Sequence, residues 1–395
     1  MKGTWLPLLV TLAVQAMVSM ALLTVPVMAT VVAQALGVSA TLTGVYVAIA
    51  YIGAIFASLA SGSAVARFGA IRVSQVGLLL CAAGLAACAL PSWVGLALGA
   101  FLIGLGYGPV TPASSHLLAL TTPPHRMALV FSVKQTGVPL GGMLAGALVP
   151  GLVLFGGWQA TLLVVAAANV VCALASQPLR AGLDADRRSD RVLAFGNLLQ
   201  PLRLVLSQRA LARLAAFSLV FSAMQLSLST YLVTYLQEAL DYGLVKAGLA
   251  LSVAQIGGVV GRIAWGYVSD RWLGARRSLA LLAGLMEISA LATAVLDAQV
   301  PPVLVFTLLV IFGASAIGWN GVYLAEVARR APPGMASTAT GGTLAVTFFG
   351  TVLGPALFGA LAASGGGYRA GFAAMAVPTA LCFISLIRRP GPAAA

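Results

Sequence analysis

Residues 249–265 read LALSVAQIGGVVGRIAW, an apolar run that is long enough to cross most of a lipid bilayer and that contains one charged residue, Arg262. A guanidinium does not lose its proton, so burying it in hydrocarbon costs roughly 2.5 kcal/mol or more. Such a residue is retained where it faces a water-filled path or a partner of opposite charge. Arg262 is therefore a candidate functional residue. The alternative is a packing role, in which it binds a helix-end carbonyl or a nearby acid.

The whole chain has the composition of a polytopic membrane protein. Of its 395 residues, 60% are hydrophobic and 8% are charged, whereas soluble domains contain about 25% charged residues. The four cysteines lie in apolar runs without the spacing of metal ligands, and no nucleotide-binding or catalytic motif is present. We therefore predict no metal, no cofactor and no enzymatic activity.

Apolar runs long enough to cross about 30 Å of hydrocarbon occur twelve times along the chain. They lie near residues 6–34, 41–65, 73–91, 94–120, 127–155, 158–176, 210–238, 245–268, 278–297, 302–328, 334–362 and 368–387. With a cytoplasmic N-terminus, 18 of the 22 Lys and Arg residues fall on the cytoplasmic side, as the positive-inside rule requires. The net charge of +13 is therefore a signal of topology rather than of nucleic-acid binding. Both termini are expected in the cytoplasm.

A polar stretch divides the predicted spans into two sets of six. We predict an N-terminal six-helix bundle at 1–176, a cytoplasmic linker at 177–209 and a C-terminal six-helix bundle at 210–395. Within the linker, residues 181–191 are expected to be flexible and solvated. The run LLQPLRLVL at 198–206 is expected to form a short amphipathic helix on the inner membrane surface.

The two halves contain similar loops. GSAVARFGAIR at 62–72 joins spans 2 and 3, and GYVSDRWLGARR at 266–277 joins spans 8 and 9, at an offset of 204 residues. Further along, Gly104 corresponds to Gly313 at an offset of 209. Duplicated six-helix halves are an architecture of secondary transporters.

Over its whole length the chain resembles the major facilitator superfamily. The specific match is the second loop, with Gly266, Asp270 and Arg271 in the family's pattern and one inserted residue. This resemblance implies an all-α membrane fold of twelve helices in two pseudo-symmetric bundles. It also implies a gating role for these three residues and for Arg67. Because Ala66 stands where the family has an aspartate that helps to close the cytoplasmic side, Asp270 is the better candidate for that latch.

Two cations are predicted inside the membrane, Lys134 in span 5 and Arg262 in span 8. Each lies eight residues from the cytoplasmic end of its span, which is roughly 12 Å along a helix. In the family, spans 5 and 8 border the central cavity. We expect Arg262 to bind a carboxylate through a bidentate fork and Lys134 to act as a point charge.

Two branches of the family give Arg262 a more specific interpretation. Monocarboxylate transporters and the oxalate/formate exchangers resemble this chain in placing a substrate-binding arginine in span 8. In monocarboxylate transporters an acid one turn earlier is linked to proton coupling, and that position is Gly258 here. The run KQTG at 134–137 resembles cyanate and organic-anion transporters. Span 5 also resembles the glycine-proline motif of drug/proton antiporters, so a proton-coupled drug or metabolite exporter is the alternative function.

Polar and aromatic residues of the spans that line the cavity in the family complete the predicted substrate site. Tyr107 and Asn320 are expected to donate hydrogen bonds to a bound carboxylate, and Trp319 is expected to contact an apolar substrate body. Gln225 is a further cavity-facing candidate. For each aromatic residue, the alternative is packing between helices.

Three titratable residues are candidate proton sites. His116 can titrate near neutral pH, with a buried neutral imidazole as the alternative. Glu287 is the deepest acid of the sequence, in span 9. Glu326 lies just before Arg329 and Arg330, and this favours a structural ion-pair network over a proton relay.

These features predict a secondary transporter of a small organic anion, expected to be a monocarboxylate, that works by alternating access. The resemblance implies a monomer in a bacterial inner membrane, with the lipid bilayer and the anion as partners and protons as a candidate coupling ion. A receptor or a membrane enzyme is not favoured, because every predicted external loop is short.

Overall fold

A computed structural model describes residues 2–123, 127–188, 190, 192–193, 199–332 and 335–388 of the chain. In these ranges every regular element is helical. The α-helices are α1 Lys2–Val27, α2 Ala29–Leu36, α3 Thr43–Phe68, α4 Ala70–Cys88, α5 Trp93–Tyr107, α6 Val110–Thr121, α7 Met127–Gln135, α8 Gly137–Ala175, α9 Arg180–Leu183, α10 Leu199–Ser207, α11 Arg209–Leu240, α12 Leu244–Val268, α13 Gly274–Ala294, α14 Pro302–Ala316, α15 Asn320–Arg330, α16 Ala336–Leu361 and α17 Gly367–Ile387. Short 3-10 or π segments cover Ala40–Leu42, Gln177–Leu179, Ser269–Leu273 and Ala362–Gly366.

Nine helical stretches among the described residues are long and apolar enough to cross a membrane. Three of them have 50 or 51 residues, more than twice the length that one crossing needs. Each of these three is interrupted by a glycine with positive φ, namely Gly157 at 77°, Gly274 at 72° and Gly365 at 97°. Six single and three double stretches accommodate twelve crossings. The prediction of an all-α membrane protein is confirmed.

The helices form two compact units. Unit 1 comprises Met1–Asn197 and Ser229–Ser252, and unit 2 comprises Leu198–Leu228 and Val253–Ala395. These contact units differ from the two predicted bundles at Ser229–Ser252, and the predicted bundle boundaries stay a prediction. The end of α11 and the beginning of α12 belong with the N-terminal helices.

Hydrogen bonds explain why the Ser229–Ser252 segment belongs to unit 1. The Tyr231 hydroxyl donates to the carbonyl oxygen of Thr41 at 2.6 Å and accepts from the N–H of Gly44 at 2.8 Å. At the other end of the segment, the Ser252 hydroxyl donates to the carbonyl oxygen of Met143 at 2.9 Å. Buried polar groups need such partners in an apolar setting, so these bonds fix the segment on the N-terminal helices.

The internal repeat reappears as the same close helix crossing inside each unit. In unit 1, a Cβ atom on Gly104 would lie 1.8 Å from the carbonyl oxygen of Ala50, and in unit 2 a Cβ atom on Gly313 would lie 1.8 Å from that of Ala254. The two alanines are 204 residues apart and the two glycines 209, which are the offsets found in the sequence. Small residues of this kind allow membrane helices to approach closely. The crossing of spans 2 and 4 is therefore repeated by spans 8 and 10.

The segment after span 6 is folded against unit 1, so the prediction of a flexible, solvated segment at 181–191 is wrong for its beginning. Asp184 is only 3% exposed. Its carboxylate accepts the N–H of Ile71 at 2.8 Å and the N–H of Arg72 at 3.1 Å, both in the first turn of α4. The first N–H groups of a helix have no partner within the helix, and an acid there is further stabilised by the helix dipole.

We expect Asp184→Ala to lower the free energy of unfolding by about 1–2 kcal/mol, the usual cost of losing a side-chain helix cap. The measurement is the thermal unfolding midpoint of the purified protein in detergent. Asp190→Ala is the matched control, because Asp190 is an exposed acid of the same segment. Equal midpoints for the two variants would contradict the capping role.

The predicted amphipathic helix forms as α10 and packs on α16 in unit 2. Val205 is fully buried, and a Cβ atom on Gly342 of α16 would lie 2.3 Å from the carbonyl oxygen of Pro201. One face of α10 is thus covered by protein. The first residue of the predicted run, Leu198, lies outside the described residues.

Candidate functional site

The candidate site in unit 2 is organised around a break in span 10. Helix α14 ends at Ala316 and α15 begins at Asn320, and residues 317–319 between them form a turn that interrupts the regular helix. A helix end leaves carbonyl groups without partners inside the helix. One of them, at Ile317, accepts a hydrogen bond from Nε of Arg262 at 3.1 Å. Discontinuous helices of this kind form substrate and ion sites in secondary transporters.

Arg262 is partly buried and lies on a face of α12 that packs directly on span 10. The indole N–H of Trp265 donates to the carbonyl oxygen of Ala314 at 2.9 Å. A Cβ atom on Gly258 would lie 2.6 Å from the side chain of Ile317. An acidic side chain at position 258, one turn before Arg262, would therefore collide with Ile317 of span 10. The chain has no space there for the acid that the resemblance to monocarboxylate transporters links to proton coupling.

Gln225 joins α11 to the beginning of α15. Its Oε1 atom accepts from Nε1 of Trp319 at 3.0 Å and from Nδ2 of Asn320 at 3.4 Å. Trp319 is 1% exposed and packs edge-on against the rings of Phe221 and Tyr323, with centroid distances of 5.6 and 5.2 Å. Trp319 is thus a packed residue that holds Gln225 in place.

Four predicted site residues therefore converge on the span 10 break within unit 2. Arg262 binds residue 317 of the break, Trp319 ends it, Asn320 follows it, and Gln225 bonds to both Trp319 and Asn320. The arrangement combines a cation, a pair of amides and a buried indole ring.

Lys134 belongs to unit 1 and also adjoins a helix break. It lies in the last turn of α7, and span 5 is interrupted at Thr136 before α8 begins. The side chain is 1% exposed, and its Nζ atom donates to Oε1 of Gln135 at 3.3 Å. Burying an ammonium group is costly unless polar groups surround it, and a substrate-binding role for Lys134 stays a prediction.

Span 4 of unit 1 is broken at the position that corresponds to the span 10 break. Residues 108 and 109 separate α5 from α6. Tyr107 is the last residue of α5, and its ring packs edge-on against Tyr51 with a centroid distance of 5.9 Å. The repeat has thus placed a predicted site residue next to a break in each unit.

Gln15 is a buried group that the sequence marked only weakly, because it is a single amide in an otherwise apolar span. It is fully buried in α1, and its Oε1 atom accepts from the hydroxyl of Thr111 at 3.0 Å. A Cβ atom on Gly137 would lie 2.8 Å from the Gln15 side chain. Gln15 therefore links span 1 to span 4 and packs on the beginning of α8.

His116 lies at the surface and is bound to the segment that follows span 6. Its Nε2 atom is 2.6 Å from a carboxylate oxygen of Asp186, and each side chain is about two-fifths exposed. The backbone N–H of Arg188 also donates to the carbonyl oxygen of Ala66 at 2.7 Å. The segment therefore binds the first-half loop at the residue where the family's aspartate is absent. A proton-carrying role for His116 stays a prediction.

The other two candidate proton sites lie in unit 2. Glu326 pairs with Arg330 at 2.8 Å and with Arg329 at 3.2 Å. Glu287 is partly buried within α13. These two ion pairs are the contacts expected of a structural network, and a proton-carrying role for Glu326 and for Glu287 stays a prediction.

The predicted gating residues of the second loop lie in or beside a π turn. Asp270 and Arg271 are exposed, and a Cβ atom on Gly266 would meet open space. In the first loop, the Arg67 guanidinium lies 5.4 Å from the centre of the Phe68 ring. A gating role for these four residues stays a prediction.

The family is decided by a match over most of the chain. A family model described as Major Facilitator Superfamily matches residues 8–355. The chain belongs to the Major Facilitator Superfamily. Membership confirms two predictions: the resemblance that was drawn from the signature loop, and the fold that this resemblance implied. It also confirms that the chain is a membrane transporter of this superfamily and not an enzyme.

Relatives within the superfamily include transporters named for aromatic acids. The benzoate transport protein of Acinetobacter baylyi is 24% identical over 315 residues, which cover 72% of this chain and 66% of that protein. The gentisate transporter of Corynebacterium glutamicum is 28% identical over 329 residues, which cover 79% of this chain and 70% of that protein. The chain thus spans about two thirds of the length of the curated relatives that it matches.

Solved structures of the superfamily share the fold at low sequence identity. A bacterial homolog of the human lysosomal transporter Spinster, in an inward-facing and unoccupied conformation, has a TM-score of 0.72 and 15% identity, covering 98% of this chain and 99% of its own. A POT family transporter in complex with 5-aminolevulinic acid has a TM-score of 0.76 and 14% identity, covering 96% and 95%.

Proposed function

We propose that this transporter moves a small organic anion across the membrane by alternating access, and that the anion is an aromatic monocarboxylate. The observation that carries the proposal is the position of Arg262, which is anchored to Ile317 in span 10. Ile317 is close in sequence to Trp319 and Asn320, which both bond to Gln225. The names of two relatives, a benzoate transport protein and a gentisate transporter, support the same class of substrate.

Arg262 is assigned the carboxylate. Its Nε atom binds a backbone carbonyl of its own unit, and this bond orients the plane of the guanidinium. The terminal nitrogens form the edge that we assign to the two carboxylate oxygens, in the bidentate geometry that arginine favours. Asn320, whose amide nitrogen has two hydrogens, is assigned a further hydrogen bond to the same anion.

The aromatic body of the substrate is assigned to the apolar surface beside these polar groups. Phe221 and Trp319 pack edge-on, the arrangement in which aromatic rings attract one another. Trp319 is 1% exposed and keeps its indole N–H bonded to Gln225, so we assign it the role of holding that amide rather than of contacting the substrate. In unit 1, Lys134 is assigned an electrostatic role, as a buried cation that attracts anions into the membrane.

The proposal does not include proton coupling through span 8, because Gly258 packs against the Ile317 side chain. The coupling ion and the direction of transport stay predictions. A bacterial inner membrane, cytoplasmic termini and a monomeric state are also part of the proposal.

Radiolabelled benzoate binding to the purified protein tests the substrate class. Binding is preferable to uptake, because protonated benzoic acid crosses lipid without a transporter. We expect unlabelled benzoate and gentisate to compete, and benzamide to compete about 100-fold more weakly, because benzamide has the same ring without the charge that pairs with Arg262.

A lipophilic cation serves as the opposing ligand in the same assay. Tetraphenylphosphonium is expected not to displace benzoate. Displacement by the cation together with equal competition by benzoate and benzamide would contradict an anion site and would favour drug export.

A further inference from the structure

A charged cavity lies in unit 2, at the ends of α11, α13, α15 and α17, and the proposed substrate site does not include it. Its volume is about 540 Å³. Four arginines line it, contributed one each by these helices or the residue that follows them, namely Arg213, Arg276, Arg330 and Arg388. Glu326 is the acid of the lining. The cavity therefore has a formal charge of +3 from its lining side chains, and it lies on the side predicted to be cytoplasmic.

The four arginines of the cavity differ in their ion-pair and hydrogen-bond partners. Arg330 is paired with Glu326. Arg276 donates from Nε to the carbonyl oxygen of Leu386 at 2.9 Å and from a terminal nitrogen to that of Arg388, so it closes the end of α17. Arg213 and Arg388 are exposed, and within the described part of the chain neither side chain forms an ion pair with an acid. These two cations remain for an anion from outside the protein.

The wall of the cavity next to Arg388 is apolar and lies on an outward-facing stripe of α17. Leu381 is 63% exposed and Ile384 is 43% exposed, and both line the cavity together with Arg388. Residues three, four and seven positions apart lie along one face of a helix. The stripe therefore runs from exposed apolar side chains inside a membrane-spanning helix to an arginine at its end.

We propose that this cavity binds an anionic phospholipid. The phosphate would take the bidentate bonds that arginine favours, from Arg213 and Arg388, and an acyl chain would lie along Leu381 and Ile384. Basic pockets between helices on the cytoplasmic side are suited to lipid headgroups. Because the bilayer covers the apolar stripe, an acyl chain lies next to the two arginines, and a lipid can contact both the charges and the stripe with one molecule, which favours it over a soluble anion.

The test compares lipid retention by native mass spectrometry of the full-length protein, with phosphatidylglycerol and phosphatidylcholine supplied in equal amounts. We expect phosphatidylglycerol to be retained preferentially. In the double variant Arg213→Ala/Arg388→Ala the preference should fall roughly 30-fold, because each basic residue near a membrane surface contributes roughly fivefold. Arg277→Ala is the matched control, because Arg277 is exposed at the beginning of α13 and does not line this cavity.

Two further comparisons, one with a soluble phosphate and one with a lysine variant, test whether the ligand is a lipid. Glycerol 3-phosphate, which has a phosphate and no acyl chain, should raise the melting temperature by much less than phosphatidylglycerol, and equal stabilisation would overturn the lipid assignment in favour of a soluble anion. Equal retention of the two lipids, or an unchanged preference in the double variant, would also overturn it. Arg213→Lys/Arg388→Lys keeps both charges and should retain part of the preference, which separates lost binding from lost folding.

Discussion

Benzoate binding is expected to fall by about 100-fold or more when Arg262 is replaced by alanine, which is the largest functional effect that we predict. Removing one partner of a buried, hydrogen-bonded charge pair costs roughly 2–5 kcal/mol, and each 1.4 kcal/mol is about a tenfold change. The same change removes the bond to the Ile317 carbonyl. The measurement is the dissociation constant for radiolabelled benzoate with the purified variant.

Two variants separate the charge of Arg262 from its structural bond. Arg262→Lys keeps the charge but loses the planar fork, so it should bind benzoate with an intermediate affinity. Arg369→Ala is the matched control, because Arg369 also donates to a backbone carbonyl of unit 2, that of Leu296 at 2.8 Å. Normal benzoate affinity in Arg262→Ala, or an equal loss in Arg369→Ala, would assign Arg262 to packing alone.

The largest effect on folding is expected from Gly313→Ala. The added Cβ atom would lie 1.8 Å from the carbonyl oxygen of Ala254, and backbone cannot move aside as a flexible side chain can. Overpacking usually costs about 1–3 kcal/mol, and a clash between two helix backbones belongs at or above the upper end. The measurement is the yield and the thermal unfolding midpoint of the folded protein in detergent.

A second glycine of span 10 provides a control of opposite sign. A Cβ atom on Gly321 would meet its nearest neighbour at 3.8 Å, an ordinary contact. Gly321→Ala should therefore be neutral, or should stabilise the helix by about 0.5–1 kcal/mol. Because the crossing is repeated in unit 1, Gly104→Ala should behave as Gly313→Ala does. If Gly313→Ala and Gly321→Ala melted at the same temperature, the close crossing would not exist in the folded protein.

The features that sequence predicted well are those that the bilayer imposes. A long apolar run in the bilayer is predicted to be helical, because hydrocarbon offers no hydrogen-bond partners for backbone groups. The twelve runs could therefore be recognised from the sequence. The correspondence of Gly104 and Gly313 was also recognisable, because their offset of 209 residues is close to the offset of 204 between the two loops and the pair of offsets indicated duplication. Arg262 was visible for a related reason, since a charge in such a run is expensive.

The features that sequence did not predict depend on partners that are distant in the chain. Asp184 looked like a surface acid among arginines, and its partners are N–H groups 112 and 113 residues earlier. The bond between Arg262 and the Ile317 carbonyl requires the break in span 10, and no proline marks residues 317–319. Trp319 was expected to face the substrate, whereas its burial and its bond to Gln225 are set by how α11 and α15 pack.

The cap that Asp184 provides to α4 bears on how the gene for this protein can be divided. Two co-expressed fragments cut after residue 176 would separate the first bundle from the acid that completes it, although the cut would follow the last residue of predicted span 6. A cut after Asp190 would leave Asp184 and the backbone of Arg188 on the first fragment. Reassembly should therefore favour the later cut. The two duplicated halves are then no longer exchangeable modules, since the first relies on an acid encoded beyond its own sixth helix.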